Sequence, residues 1–118
     1  MAKIVIVVTH GSNSDKSTVA LTIANAAKTG GHDVALFLTS DGVYLAKHGY
    51  ADAALFRPFK PLEELMQTFL DAKGIVWACS PCVVHRGIKT DDVLQGVTVT
   101  GAGPLIEWVA GGAQTISL

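Results

Sequence analysis

Two cysteines stand three positions apart in the run Trp77-Ala78-Cys79-Ser80-Pro81-Cys82-Val83-Val84-His85-Arg86-Gly87-Ile88. Cys79 closes an apolar stretch that reads as a buried strand, and Ser80-Pro81 suits the cap and first residue of a short helix. A thiol at such a junction faces unpaired backbone N–H groups and the positive end of the helix dipole. Both favour thiolate over thiol. Arg86 and His85, folded back to the same mouth, add positive potential. The thiolate is the nucleophilic form of cysteine, so the arrangement suits sulfur chemistry. The plain alternative is that both residues pack as small hydrophobes, a common fate of free cysteine. A paired spacing with proline between argues for chemistry at Cys79. Cys82 stays open between a resolving thiol, a second sulfur acceptor and a packing residue.

Other cysteine chemistries fit less well. The six residues between Cys79 and Arg86, and the three between Cys82 and Arg86, match no tyrosine-phosphatase loop. Thioredoxin-type C-x-x-C motifs follow an early strand, whereas Cys79 comes after three strand–helix units. Zinc would need a second ligand pair, and only His85 is close in sequence. His10, at the end of the first apolar run, is a candidate base or ion-pair partner for a nearby thiol; it also reads as a solvated loop histidine. The segment Thr9 to Asp15 is rich in small and hydroxyl side chains, as a phosphate-binding loop would be, but it lacks the glycine-rich fingerprints and is equally an ordinary helix start. A nucleotide- or flavin-binding module on the 9–15 and 39–44 segments is therefore a second reading, with Tyr44 and Trp77 the aromatics placed to stack. A third is a regulatory protein without chemistry. The sulfur reading requires no cofactor and no metal.

These residues need elements to hold them. Lys3 to Thr9 is β-branched and apolar on both faces, as a strand covered on both sides must be. Val19, Ala20, Ile23, Ala24 and Ala27 recur at helical spacing, with Gly30-Gly31 as the stop. Asp33 to Leu38 reads as a second strand, and Ser40-Asp41 as the cap of a short helix through Val43, Tyr44 and Leu45. Residues 47–60 read as loop; Tyr44, Leu45, Leu55, Phe56 and Phe59 there and nearby serve either as core cover or as a subunit interface. Pro61 opens a helix to Lys73, with Leu62, Leu65, Met66, Phe69 and Leu70 on one face. Gly74 to Cys79, Val97 to Thr100 and Gln114 to Ser117 complete five strands, with a helix near Pro104 to Ala110. Alternating strands and helices predict a single domain over residues 1–118: an α/β fold, a flavodoxin-like three-layer α/β/α sandwich on a mostly parallel five-stranded sheet. In such sheets the reactive crevice lies beyond the carboxyl ends of the strands. The segments 9–15, 39–44 and 79–90 should meet there.

Composition narrows the field further. Hydrophobic residues make up 49% of the 118 and charged residues 16%, which excludes a disordered chain. Nine Lys/Arg against ten Asp/Glu leave a net charge of -1, without the basic excess expected of a nucleic-acid partner. The early apolar run Ile4 to Val8 is too short to span a bilayer and is followed by no cleavage-site pattern. The expected address is the cytoplasm, where thiols stay reduced.

At Cys79, Arg86, Gly87 and Ile88 the chain resembles the DsrE/DsrF-like family, which includes the TusD-type sulfur-relay subunits. There a cysteine ends the third strand, and an arginine–glycine pair and an aliphatic residue follow a short helix. The likeness extends over the whole length, from the opening strand to the closing helix and strand at Pro104–Leu118. It implies a homo-oligomer, trimer or hexamer, in which Cys79 carries sulfur as a persulfide between sulfur donor and acceptor proteins. Pro81 and Cys82 depart from the relay subunits, which have small apolar residues at those places.

Overall fold

The computed structural model describes residues 1–118. Its strands are β1 (Lys3–Val8), β2 (Asp33–Leu38), β3 (Ile75–Cys79), β4 (Val97–Thr100) and β5 (Gln114–Ser117), and its helices are α1 (Asp15–Thr29), α2 (Leu62–Asp71), α3 (Ser80–His85) and α4 (Gly103–Ala110). The strands form one sheet in the order β4-β3-β2-β1-β5, and every ladder is parallel. The chain is thus a five-stranded α/β sandwich, as its alternation of elements predicts.

The order fixes which face each helix covers. From β1 to β4 the chain steps along the sheet in one direction, so right-handed crossovers put α1, α2 and α3 on one face. The return from β4 to β5 runs the other way and carries α4 across the opposite face. The main core lies under the first group. Ile6, Val8, Val34, Leu36, Leu38, Val76 and Ala78 of the sheet meet Leu21 and Ala24 of α1, Leu62, Met66 and Phe69 of α2, and Val83 of α3. The second face is thinner. Val5, Ala35, Phe37 and Trp77 form a four-residue cluster capped by Leu105 and Trp108 of α4, with Trp108 edge-on to Trp77 at 5.4 Å between ring centres.

Local chemistry accounts for the boundaries. Ser14 caps α1 by accepting from the Lys16 N–H, and Gly31, at φ 86°, turns the chain out of it. Pro61 stands at the N-cap of α2, which ends at Asp71 rather than Lys73; Lys73 itself takes a left-handed backbone at φ 66°. The segment after β2 is a 3₁₀ helix, Ser40–Ala46, with Thr39 at its N-cap. Ser40 therefore lies inside the turn and does not cap it. α3 is capped one residue earlier than its sequence suggests, by Cys79 instead of Ser80, with Pro81 in the first turn. No helix is long and apolar enough to cross a membrane.

Candidate functional site

Because all strands run parallel, the segments that follow β1, β2 and β3 leave from one edge of the sheet. β2 and β3 are hydrogen-bonded neighbours, so the 39–46 turn lies beside α3. Cys82 is the residue they share. The Ser40 backbone N–H donates to its Sγ at 3.3 Å, and the Thr39 hydroxyl lies 3.6 Å from the same sulfur. Ser40 has a left-handed backbone, φ 53°, a conformation that costs a non-glycine residue and recurs where function holds it. Here it turns the amide toward the sulfur.

Arg86, at the end of α3, closes the cluster. Its Nε and Nη2 reach one oxygen of Asp41 at 3.1 and 3.0 Å, and its Nη1 donates to the Cys82 carbonyl at 3.3 Å. Asp41 is 66% exposed, so the pair contributes orientation more than stability. The guanidinium also stands over the Tyr44 ring at 5.9 Å, and Tyr44 stacks on Tyr50 at 4.8 Å. Tyr50 joins the first loop to this group. Ser12 donates to its carbonyl, and its hydroxyl fills the space a side chain at Gly11 would need.

The electrostatics single out Cys82. The Thr39 hydroxyl lowers its thiol below the ordinary range, against the opposing pull of burial, and the Ser40 amide, the Cys79 thiol and the Arg86 charge add to the lowering. Cys79 caps α3 and packs between both apolar clusters. Neither cysteine is sealed, since both are half-buried and free. No N–H group of residues 80–83 donates to the Cys79 sulfur. The amide expected at the first cysteine comes instead from the neighbouring strand's turn and reaches the second.

The other sequence candidates divide. Arg86 is brought to Cys82. His85 is exposed and points away from any partner. His10 is not brought to the thiols. It follows β1, and β2 lies between β1 and β3, which places it roughly 10 Å across the sheet at two strand spacings. Its Nδ1 lies 3.1 Å from the Thr9 hydroxyl, which donates its own proton to the Leu118 carbonyl at 3.0 Å. Nδ1 of the neutral ring is therefore the donor and Nε2 carries the lone pair. The first loop is occupied with itself: Ser17 Oγ donates to the carbonyls of His10 and Gly11. Trp77 is buried against Trp108 and cannot stack on a planar ligand. No group of three His, Cys, Asp or Glu residues is placed to hold a metal ion. The largest groove, about 720 Å³, contains none of these residues; Lys47, Met66, Lys73 and Gly96 are among its lining. Lys73 and Gly96 precede β3 and β4, at the amino edge of the sheet.

Sequence reasoning missed Thr39, Ser40 and Asp41 as partners of the thiol. The available signal was positional, because a hydroxyl-rich segment follows β2 just where Cys79-Ser80 follows β3. Parallel neighbours with equal ends bring such segments together.

A half-buried pair of free thiols at the carboxyl edge of a parallel sheet, one of them accepting from a backbone amide and lying beside a hydroxyl, is the candidate site of this α/β sandwich. The chain belongs to the DsrE/DsrF-like family, whose model matches residues 2–118. Uncharacterized protein MK0008 of Methanopyrus kandleri is 30% identical over 95 residues, which span 80% of this chain and 75% of that protein. Uncharacterized protein MJ0989 of Methanocaldococcus jannaschii is 27% identical over 108 residues, 91% of each. Among solved structures, the ychN protein of E. coli superposes with a TM-score of 0.84 at 24% identity, covering all of both chains. Protein MTH1491 of Methanobacterium thermoautotrophicum, of unknown function, does so at 0.73 and 19%, also in full. At these identities the structural likeness is one of fold.

Proposed function

We propose that this protein is a cytoplasmic sulfur carrier of sulfurtransferase type, which accepts sulfane sulfur as a persulfide on Cys79 and passes it to an acceptor thiol. Membership of the DsrE/DsrF-like family points to sulfur relay, and Cys79 ends β3, where the resemblance implies the sulfur-carrying cysteine. The single observation that carries the reading is the donor-lined, half-buried thiol pair at the β3–α3 junction. The Ser40 amide and the Thr39 hydroxyl, already placed at Cys82, with the Arg86 charge nearby, favour anionic sulfur in this pair without reorganising when it forms. The transfer itself is thiol–persulfide exchange. Cys79 as thiolate attacks the outer sulfur of a donor persulfide, the donor leaves as a thiolate, and the same step in reverse unloads it to the acceptor.

The assembly belongs to the same proposal. Trimers or hexamers of this chain would give Cys79 a wall on the side that a single copy leaves open.

The test is intact-mass spectrometry of the reduced protein after exposure to glutathione persulfide. With Cys82→Ser in both, so that no second thiol competes, the chain that keeps Cys79 gains one sulfur and the Cys79→Ser chain gains none. Equal gain by both would remove Cys79 from the role.

A further inference from the structure

In this family position one cysteine suffices to carry a persulfide, yet a second thiol sits one helical turn further on, and the structure supplies that second thiol with the better surroundings. Cys79 caps α3 and Cys82 lies three residues along it, with Pro81 stiffening the first turn. Cys79 stands at the N-cap with an extended backbone, φ -61° and ψ 116°, and Cys82 is the third helical residue after it. A disulfide needs Cα atoms about 4.4–6.8 Å apart, which one helical turn provides. The Cys79 thiol is among the groups that lower the Cys82 thiol, an influence that acts only at short range. The Cys82 sulfur is further held by the Ser40 N–H at 3.3 Å and the Thr39 hydroxyl at 3.6 Å.

We propose that Cys82 is an internal discharging thiol: it attacks Sγ of a persulfide held on Cys79, closes a Cys79–Cys82 disulfide and expels hydrosulfide. This rests on the persulfide reading above. The step balances within the chain. The bond formed joins the two Sγ atoms, and the bond broken lies between Cys79 Sγ and the outer sulfur. The outer sulfur departs with that electron pair and its proton as HS⁻, reduced by two electrons, and the two cysteine sulfurs are oxidised by two. No outside oxidant enters. A further round requires a dithiol reductant to reopen the disulfide. The protein then has two exits for its sulfur: transfer as sulfane sulfur when an acceptor thiol arrives first, and release as sulfide when none does. Thr39 and Ser40 are positioning residues for this step. They favour the thiolate form of the attacking sulfur and hold it by two contacts, since exchange depends on the thiolate and on which sulfur it can reach.

The experiment loads the reduced chain with one equivalent of glutathione persulfide under anaerobic conditions. It follows free sulfide by methylene-blue colour and both cysteines by intact mass and alkylation. Wild type is expected to release about one hydrosulfide per loaded chain and to lose both free thiols to a disulfide. Cys82→Ser and Cys82→Ala are expected to retain the extra sulfur on Cys79, with sulfide release slowed about tenfold or more until dithiothreitol is added. Thr39→Val keeps both sulfurs; it is expected to load normally and to discharge several-fold more slowly. If wild type holds its sulfur as long as Cys82→Ser and forms no disulfide, internal discharge is overturned and the carrier reading stands; if the sulfur is found as a persulfide on Cys82, both internal discharge and the assignment to Cys79 are overturned. If the Cys82 variants take up no sulfur, the carrier reading itself fails.

Discussion

A thiol's pKa can be lowered by the start of its own helix or by groups reaching in from elsewhere, and here the second arrangement prevails. Cys79 holds the capping position, but the amide and hydroxyl donors come from the neighbouring turn and converge on Cys82. Since the Thr39 hydroxyl is the largest influence on that thiol, Thr39→Val should move its titration back toward the ordinary value. Alkylation rate against pH, resolved for each cysteine by peptide mass, is expected to give Cys82 a midpoint below the unperturbed thiol value of about 8.5. In Thr39→Val that midpoint should be higher. The sign for stability follows from linkage. A folded midpoint below the unfolded one adds stability that is fully present above about pH 8.5 and is lost as pH falls through the lowered midpoint. Cys79, Cys82 and Arg86 were all legible in the sequence at this scale, because their types and spacing are chemical facts. The meeting of 39–44 with 79–90 was expected from the strand ends, but Thr39, Ser40 and Asp41 were not legible as its partners, because nothing in the sequence says which atoms converge on which sulfur.

At the scale of elements, the 3₁₀ helix after β2 is what delivers the donors, and a glycine lets it lie where it does. Gly42 packs so closely on the end of β1 that a Cβ there would run into the Val8 carbonyl. The Gly42 N–H also donates to the Thr39 carbonyl at 2.9 Å, which closes the first turn of that helix. Gly42→Ala must lift the segment off β1, at a cost of about 1–3 kcal/mol in the manner of an overpacked core. Urea unfolding should show that loss. In the folded variant Cys82 should also alkylate more like an ordinary thiol, since the Ser40 amide moves with the turn. A stability loss with unchanged thiol reactivity would show that the turn and the sulfur are not linked. Sequence spacing predicted a short helix after Asp41 but assigned Ser40 to its cap. The close approach to β1 draws the first turn in by a residue, leaves Thr39 at the N-cap and frees its hydroxyl for the sulfur.

The whole molecule is asymmetric about its sheet. One face carries α1, α2 and α3 over a 21-residue core, whereas the other has only α4 over four buried residues. Eight residues make a helix of about 12 Å, too short to cover five strands. No residue of α4 is buried; Ile106 is 60% exposed and Val109 41%, and Ile75 of β3 is 37% exposed on the same side of the sheet. The proposed homo-oligomer would cover this face. Ile106→Glu is therefore expected to shift the sedimentation coefficient toward the monomer while leaving far-UV circular dichroism unchanged, because the residue supports no packing within its own chain. An unchanged coefficient would take α4 out of the interface.

The sequence by itself determined the elements and their class. β-branched runs apolar on both faces can only be strands covered on both sides, and the helical periods between them force parallel pairing. β2, β4 and β5 lie where their patterns place them, and Cys79 ends β3 as its position in the apolar run requires. The strand order was decided only by the tertiary structure, since periodicity carries no information about which strand pairs with which. That order put β2 between His10 and the thiols, set Thr39 and Ser40 beside Cys82, and left one face of the sheet thinly covered. Those three outcomes decide which sulfur receives the hydrogen-bond donors, which histidine is a bystander to it, and which face carries exposed apolar side chains.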